Sequence, residues 1–373
     1  MIFNLPRAHR RLLPLGFALC LGAAQPLSAH EREHKDAYQL HNLVSDQAGK
    51  ADHQDANLVN GWGVAFNPNG FVWVANNHTG TSTLYDGLGN PQPLVVTIPG
   101  PGDGAPGSPT GIVFSGSSNF VVSNGTVSGA SRFIFSTEAG TIAGWAPTVN
   151  ATSAIEVVPA AGAIYKGLAL GANGIDVLLY ATDFAGRKVD VFDKNFHPVS
   201  APGGFLDRGL PGDYSPFGIQ NINGDIYVTY AKKEEGEDDE TAGPGLGFVD
   251  VFDADGNLIR RIASRSKLDA PWGLALAPAG FGKFANDLLV GNFGDGAILA
   301  YDAHSGDFKG RLRTADGHLL KVDGLWGMAF GNGISSQPTG TLFVAAGPDD
   351  EAHGFYGAIT AVTGGRADDR DDE

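Results

Sequence analysis

Read for apolar and polar positions, the chain shows few stretches of helical period and many short apolar runs broken by Gly, Asn and Asp. This is the pattern of strands joined by tight turns. One phrase recurs: a bulky or small residue, a glycine, then an apolar run. It appears as Trp62-Gly63-Val64-Ala65-Phe66, Thr110-Gly111-Ile112-Val113-Phe114, Lys166-Gly167-Leu168-Ala169-Leu170, Phe217-Gly218-Ile219, Trp272-Gly273-Leu274-Ala275-Leu276 and Trp326-Gly327-Met328-Ala329-Phe330. The glycines are separated by 48, 56, 51, 55 and 54 residues. A fixed period of this size signals a repeat architecture.

Each repeat continues with a second apolar run: Phe71–Val74, Phe120–Val122, Val177–Tyr180, Ile226–Val228, Leu288–Val290 and Leu342–Val344. In four repeats a third run ends in an aromatic-Asp pair, Tyr85-Asp86, Phe192-Asp193, Phe252-Asp253 and Tyr301-Asp302. Fourth runs follow, such as Leu94–Ile98 and Leu258–Ile262. Four antiparallel strands in about fifty residues, six times over, predict an all-β fold, a six-bladed β-propeller over residues 38–365. The nearly continuous apolar first run suits an inner strand near a crowded axis, where Gly gives the backbone room. The sixth repeat ends at its third strand, Ala358–Val362, while Tyr38–Val44 is an unclaimed apolar run near the other end. The N-terminal strand is therefore expected to complete the last blade and remove the open sheet edges.

Three segments lie outside the repeats. Residues 1–29 read as a secretory signal peptide: Arg7, Arg10 and Arg11, an apolar stretch to Leu21, then small residues ending at Ala29. Residues 30–37 form a polar lead-in. Residues 232–244, with Glu234, Glu235, Glu237, Asp238, Asp239 and Glu240, form an acidic insertion in blade four, and 366–373 an acidic tail. Both charge runs are expected to be solvated. The single cysteine, Cys20, lies within the signal, so the processed chain has no thiol. A lipid anchor there would want a small residue before it, and Leu19 is not one.

Charge narrows the partners. The full chain carries 25 Lys+Arg against 41 Asp+Glu, a net −16; loss of the signal's three arginines takes this to −19. Such a surface repels phosphate backbones and anionic lipids, so neither nucleic acid nor membrane is expected as a partner. No later run approaches the length of a membrane span. A secreted or periplasmic monomer follows, with a small molecule or a protein as ligand at the channel mouth.

If inner strands run one way and second strands return, the loops before the former and the turns after the latter share one face. The aligned second-strand ends read Asn76, Asn124, Asp183 and Asn292, with Ala231 and Gly347 breaking the ring, and Asp269 and Asp323 before the Trp-Gly pairs. Oxygen side chains around an axis suit a hard cation such as calcium. The alternative is ordinary turn capping by Asn and Asp. Trp62, Phe217, Trp272 and Trp326 share one repeat position and fit either an aromatic platform for a ligand or packing between blades. Lys166 is the charged exception in that ring, another candidate for ligand binding. His30-Glu31-Arg32-Glu33-His34 matches a zinc-protease pattern in letters only, because it lacks an apolar helical face. No nucleophile elbow or phosphate-binding Gly loop occurs.

The phrases Asn57–Gly63, Thr81–Gly87 and Pro91–Val96 resemble a family of exported bacterial proteins of unknown function, over about Tyr38 to Val362. The Gly repeat is more broadly similar to NHL-repeat and gluconolactonase-like propellers. The latter resemblance implies a metal at the channel mouth that activates a substrate, with a carboxylate as base. Two functions remain open: a binding or scaffold propeller, and a calcium-dependent lactonase or esterase.

Overall fold

A computed structural model describes Met1 and residues 36–102, 105–174 and 176–363. The expected signal peptide, the His30–His34 motif and the acidic tail lie outside the described residues.

Six antiparallel four-stranded blades stand in a ring. Their inner strands are Gly61–Phe66, Pro109–Phe114, Tyr165–Ala172, Tyr214–Ile222, Pro271–Leu276 and Leu325–Phe330. The N-terminal strand, Ala37–Ser45, pairs antiparallel with Phe355–Val362, from Ala37 opposite Val362 to Ser45 opposite Phe355. It completes blade six as expected, and a short parallel strand, His53–Gln54, is added outside it. Tyr38 pins the closure to blade five: its ring stacks on Phe284, centroids 5.8 Å apart, and its hydroxyl donates to Phe281 O at 3.0 Å.

The apolar core is divided in the same way. Six clusters each fill one seam between neighbouring blades, and a seventh sits on the axis. The repeat glycines explain how the inner strands approach one another. A Cβ at Gly63 would come 2.5 Å from Thr110 O, at Gly167 2.9 Å from Phe217 O and at Gly273 2.7 Å from Trp326 O. At Gly111 it would strike Leu168 N, at Gly218 Trp272 O and at Gly327 Trp62 O. Each glycine thus seats the next blade's backbone, and the contacts close into a ring. The aromatic-Asp pairs also have a local cause. Asp86, Asp193, Asp253 and Asp302 each accept two backbone N–H bonds from the turn that follows.

Blade two corrects the sequence reading. Its second strand is Phe133–Thr137, buried throughout, and its third is Ile142–Trp145. The run at 120–122 belongs instead to an inserted hairpin, Val121–Ser123 with Ser128–Ala130, where Val121 is 52% exposed. Hence the spacing from Gly111 to Gly167, 56 residues, is the longest of the five. In residues 232–244 the acids from Glu234 to Asp239 are exposed, as expected, but the ends are anchored: Thr241 N donates to Lys232 O at 2.9 Å, Lys233 is buried, and its ammonium lies 5.3 Å from the Phe184 ring.

Candidate functional site

The face where inner strands begin and second strands end is built from two rings of side chains. The residues before the six glycines, Trp62, Thr110, Lys166, Phe217, Trp272 and Trp326, form the first ring. Their aromatic members meet on the axis. Trp62 stacks on Trp326 at 3.8 Å, Trp272 meets Trp326 edge-on at 5.9 Å, and Phe217 meets it at 5.7 Å. Trp62, Phe217 and Trp326 are fully buried, and only Trp272 is partly exposed. The expected aromatic residues therefore converge, but they form a plug rather than an open platform.

Three of the expected oxygen residues, Asn76, Asp183 and Asn292, share one register position, but Ala231 and Gly347 lie one residue beyond it. Register aligns Asn76, Thr137, Asp183, Tyr230, Asn292 and Ala346; Asn124 lies in the inserted hairpin. The polar atoms here serve turns. Asn76 Nδ2 donates to Thr81 and Thr83, and Asp183 Oδ1 accepts from Ile164 N and Gly186 N. Asn292 Oδ1 accepts from Asp269 N, and Asn124 Oδ1 from Thr126 N and Val127 N. Asp269 accepts from Gly243 N and Asp323 from Asp349 N. Among the described residues, no group of three or more His, Cys, Asp and Glu is set to hold a metal.

Because a strand turns alternate side chains to opposite faces, the second ring is the next residue along: Asn77, Glu138, Phe184, Ala231, Phe293 and Gly347. Phe293 stacks on Trp326 at 4.1 Å, and Phe184 packs on Phe217. Polar members gather on blades one to three. Lys166 Nζ, 1% exposed, binds Glu138 Oε1 and Asp239 Oδ1, both at 2.8 Å, and lies 5.2 Å from the Trp62 ring. Asn77 Nδ2 donates to Glu138 Oε2 at 3.0 Å.

Two long loops bring further carboxylates. Glu240 arrives on the acidic insertion, Glu351 on the blade-six loop. There Asp349, Asp350 and Glu351 all have positive φ, of 57°, 51° and 65°. Three consecutive non-glycine residues in that region are uncommon and costly, so the surrounding structure holds them. Burial alone would lower the Lys166 pKa; Glu138, Glu240 and Asp239 outweigh it and keep the ammonium charged. Burial pushes Glu240 up to about 7 and raises Glu351. Glu240 Oε2 and Glu351 Oε1 are shut from solvent and accept no hydrogen bond. Fully buried Asn60 accepts from Trp326 Nε1 at 3.1 Å. Its Nδ2 stands near Glu351 and favours that charge without closing a hydrogen bond.

Sequence reasoning singled out Lys166 and the aromatics. It missed Glu138, Phe184 and Phe293, whose signal was the alternation one residue beyond the chosen ring. It also missed Glu351, for which the repeat carries no signal.

No family model matches the chain. Uncharacterized protein R648 of Acanthamoeba polyphaga mimivirus is 31% identical over 330 residues, spanning 86% of this chain and 80% of that protein. Uncharacterized protein L690 of the same virus is 32% identical over 335 residues, spanning 86% and 85%. Among solved structures, a protein of unknown function from Bacteroides thetaiotaomicron superposes with a TM-score of 0.55 over 87% of this chain and 76% of its own. A glucose dehydrogenase does so with 0.52 over 87% and 100%, and a streptogramin B lyase with 0.50 over 87% and 97%. All three are 12% identical, which shows the propeller fold alone. The matched relatives are viral, so the bacterial origin expected from the sequence phrases is not supported.

Proposed function

We propose, from the premise that the chain belongs to the family of the uncharacterised mimivirus proteins R648 and L690, that it is a non-enzymatic binding propeller. Its ligand is a small polar molecule with a cationic group, taken over the axial plug. One observation carries this reading: the buried ammonium of Lys166 serves four carboxylates, Glu138, Asp239, Glu240 and Glu351, and the last two keep a buried oxygen without a partner. A charge-assisted donor from a ligand would satisfy both oxygens. The aromatic walls and Trp272 would cover its apolar part. Lys166 stays charged, so it anchors carboxylates rather than acting as a nucleophile. Export by residues 1–29 and a monomeric state belong to the same proposal and rest on the sequence, which left a small molecule and a protein both open as the ligand.

A second reading, a calcium-dependent lactonase or esterase, is favoured by Glu240, whose pKa of about 7 suits proton transfer near neutral pH. Thermal unfolding separates the two. Spermidine and glucosamine should raise the Tm, glucose should not, and Glu351→Gln should remove the rise. If neither amine shifts the Tm, the binding reading fails. Calcium-dependent cleavage of p-nitrophenyl acetate, lost in Glu240→Gln, would establish the hydrolase instead.

A further inference from the structure

We propose a second, separate binding site at the opposite mouth of the channel, for a small neutral apolar molecule carrying one hydrogen-bonding group. The inner strands end there around a funnel of about 560 Å³, within the range of small-molecule pockets. Its floor is the glycine waist, where only about 30 Å³ remains, too little for more than a water or two. The plugged face and this funnel are therefore independent sites.

The funnel's chemistry follows from the repeat. Three positions after each glycine stand Phe66, Phe114, Leu170, Leu276 and Phe330 on five blades, all half-buried. Two positions after the glycine those blades carry Ala65, Val113, Ala169, Ala275 and Ala329. Blade four breaks both series, with Gln220 and Asn221. Asn221 has a structural duty: its Nδ2 donates to Leu170 O at 2.8 Å and its Oδ1 accepts from Gly224 N at 3.0 Å. Gln220 has none. It lines both funnel and waist, is exposed, and its carboxamide bonds to no described side chain or backbone group.

Among the described residues, no titratable side chain lines the funnel, although the chain carries a net charge of −16. A charged ligand would lose its hydration there without compensation, so the occupant is neutral. Half-buried rings that line a closed-floored cavity, each braced edge-on against Phe343, Phe133 or Phe281 in the seam behind it, suit a compact apolar body better than a flat protein partner. The lone carboxamide on one wall supplies a donor and an acceptor for a hydroxyl or carbonyl at one end.

Calorimetric titration at pH 7 with naphthalene and 2-naphthol tests the site, because the two share a body and differ by one hydroxyl. Both should bind saturably, one per chain, with 2-naphthol about fivefold tighter, the worth of one neutral hydrogen bond. Gln220→Leu, at an exposed position, should abolish the preference and retain naphthalene. Ala329→Trp should fill the funnel and abolish both. Glu351→Gln, on the other face, should change neither. Absence of saturable binding to wild type would overturn the proposal, as would a preference that survives Gln220→Leu or binding lost in Glu351→Gln.

Discussion

At the scale of single residues, the plugged face shows how burial sets protonation. Glu240 has an ordinary pKa of 4.5 and is held at about 7, so the folded state retains the proton more strongly than the unfolded chain. Stability from this group is fully present below about pH 4.5 and is lost as pH rises to about 7. Asp250, wholly buried beside Arg261 at 2.9 Å and also pushed to about 7, acts in the same direction. The informative quantity is therefore a difference between variant and wild type. Glu240→Gln should match wild type near pH 4.5 and exceed its Tm by several degrees at pH 8, since a shift from 4.5 to about 7 is worth on the order of 3 kcal/mol. A Tm difference independent of pH would show that Glu240 is not held neutral. Lys166 was conspicuous in the sequence because it replaces an apolar or aromatic residue in its ring. Its carboxylate partners were not, because Asp239 and Glu240 come from an insertion and Glu351 from a loop with a left-handed turn.

At the scale of elements, the inner strand is the unit that the repeat encodes. The strands crowd the axis, and the glycine at each close approach is a steric requirement rather than a conformational one. Gly218→Ala would press a methyl group onto Trp272 O in the neighbouring blade. It should cost about 1–3 kcal/mol and lower the Tm. Gly224→Ala is a contrasting control, since a Cβ there meets nothing within 4 Å and the change acts only through a positive φ of 99°. If Gly218→Ala is as stable as wild type, the close approach between blades four and five is not real. Blade two shows the limit of element-level reading. Phe120–Val122 has the right composition for a second strand, but so does Phe133–Thr137, and periodicity does not rank two apolar runs within one repeat. Burial does: the second is shielded on both faces, whereas Val121 and Ser123 face solvent.

At the scale of the whole molecule, stability depends on ring closure by Ala37–Ser45. Tyr38 lies in the seam between blades five and six, 1% exposed and joined to both Phe281 and Phe284. Tyr38→Ala should cost about 3–5 kcal/mol, as for other large aromatic truncations in cores. Deleting residues 37–45 should do more, because it also exposes the edge at Phe355–Val362. Equal Tm values for the deletion and wild type, measured calorimetrically, would refute closure as the main restraint. The sequence alone determined the blade number, the strand order within five blades and the closing strand. Each follows from a local alternation repeated at a fixed period, and repetition converts weak local signals into a firm count. It also marked Lys166 and the tryptophans, because they share a repeat position. Only the tertiary structure decided what those residues face. The phase of a strand is set by its neighbours, and a shift of one residue exchanges the turn-capping ring of Asn76, Asp183 and Asn292 for the ring containing Glu138, Phe184 and Phe293. Likewise, nothing local tells an insertion whether to reach outward or inward. Here the acidic insertion reaches inward far enough for Asp239 to pair with the buried ammonium of Lys166, beside Glu138.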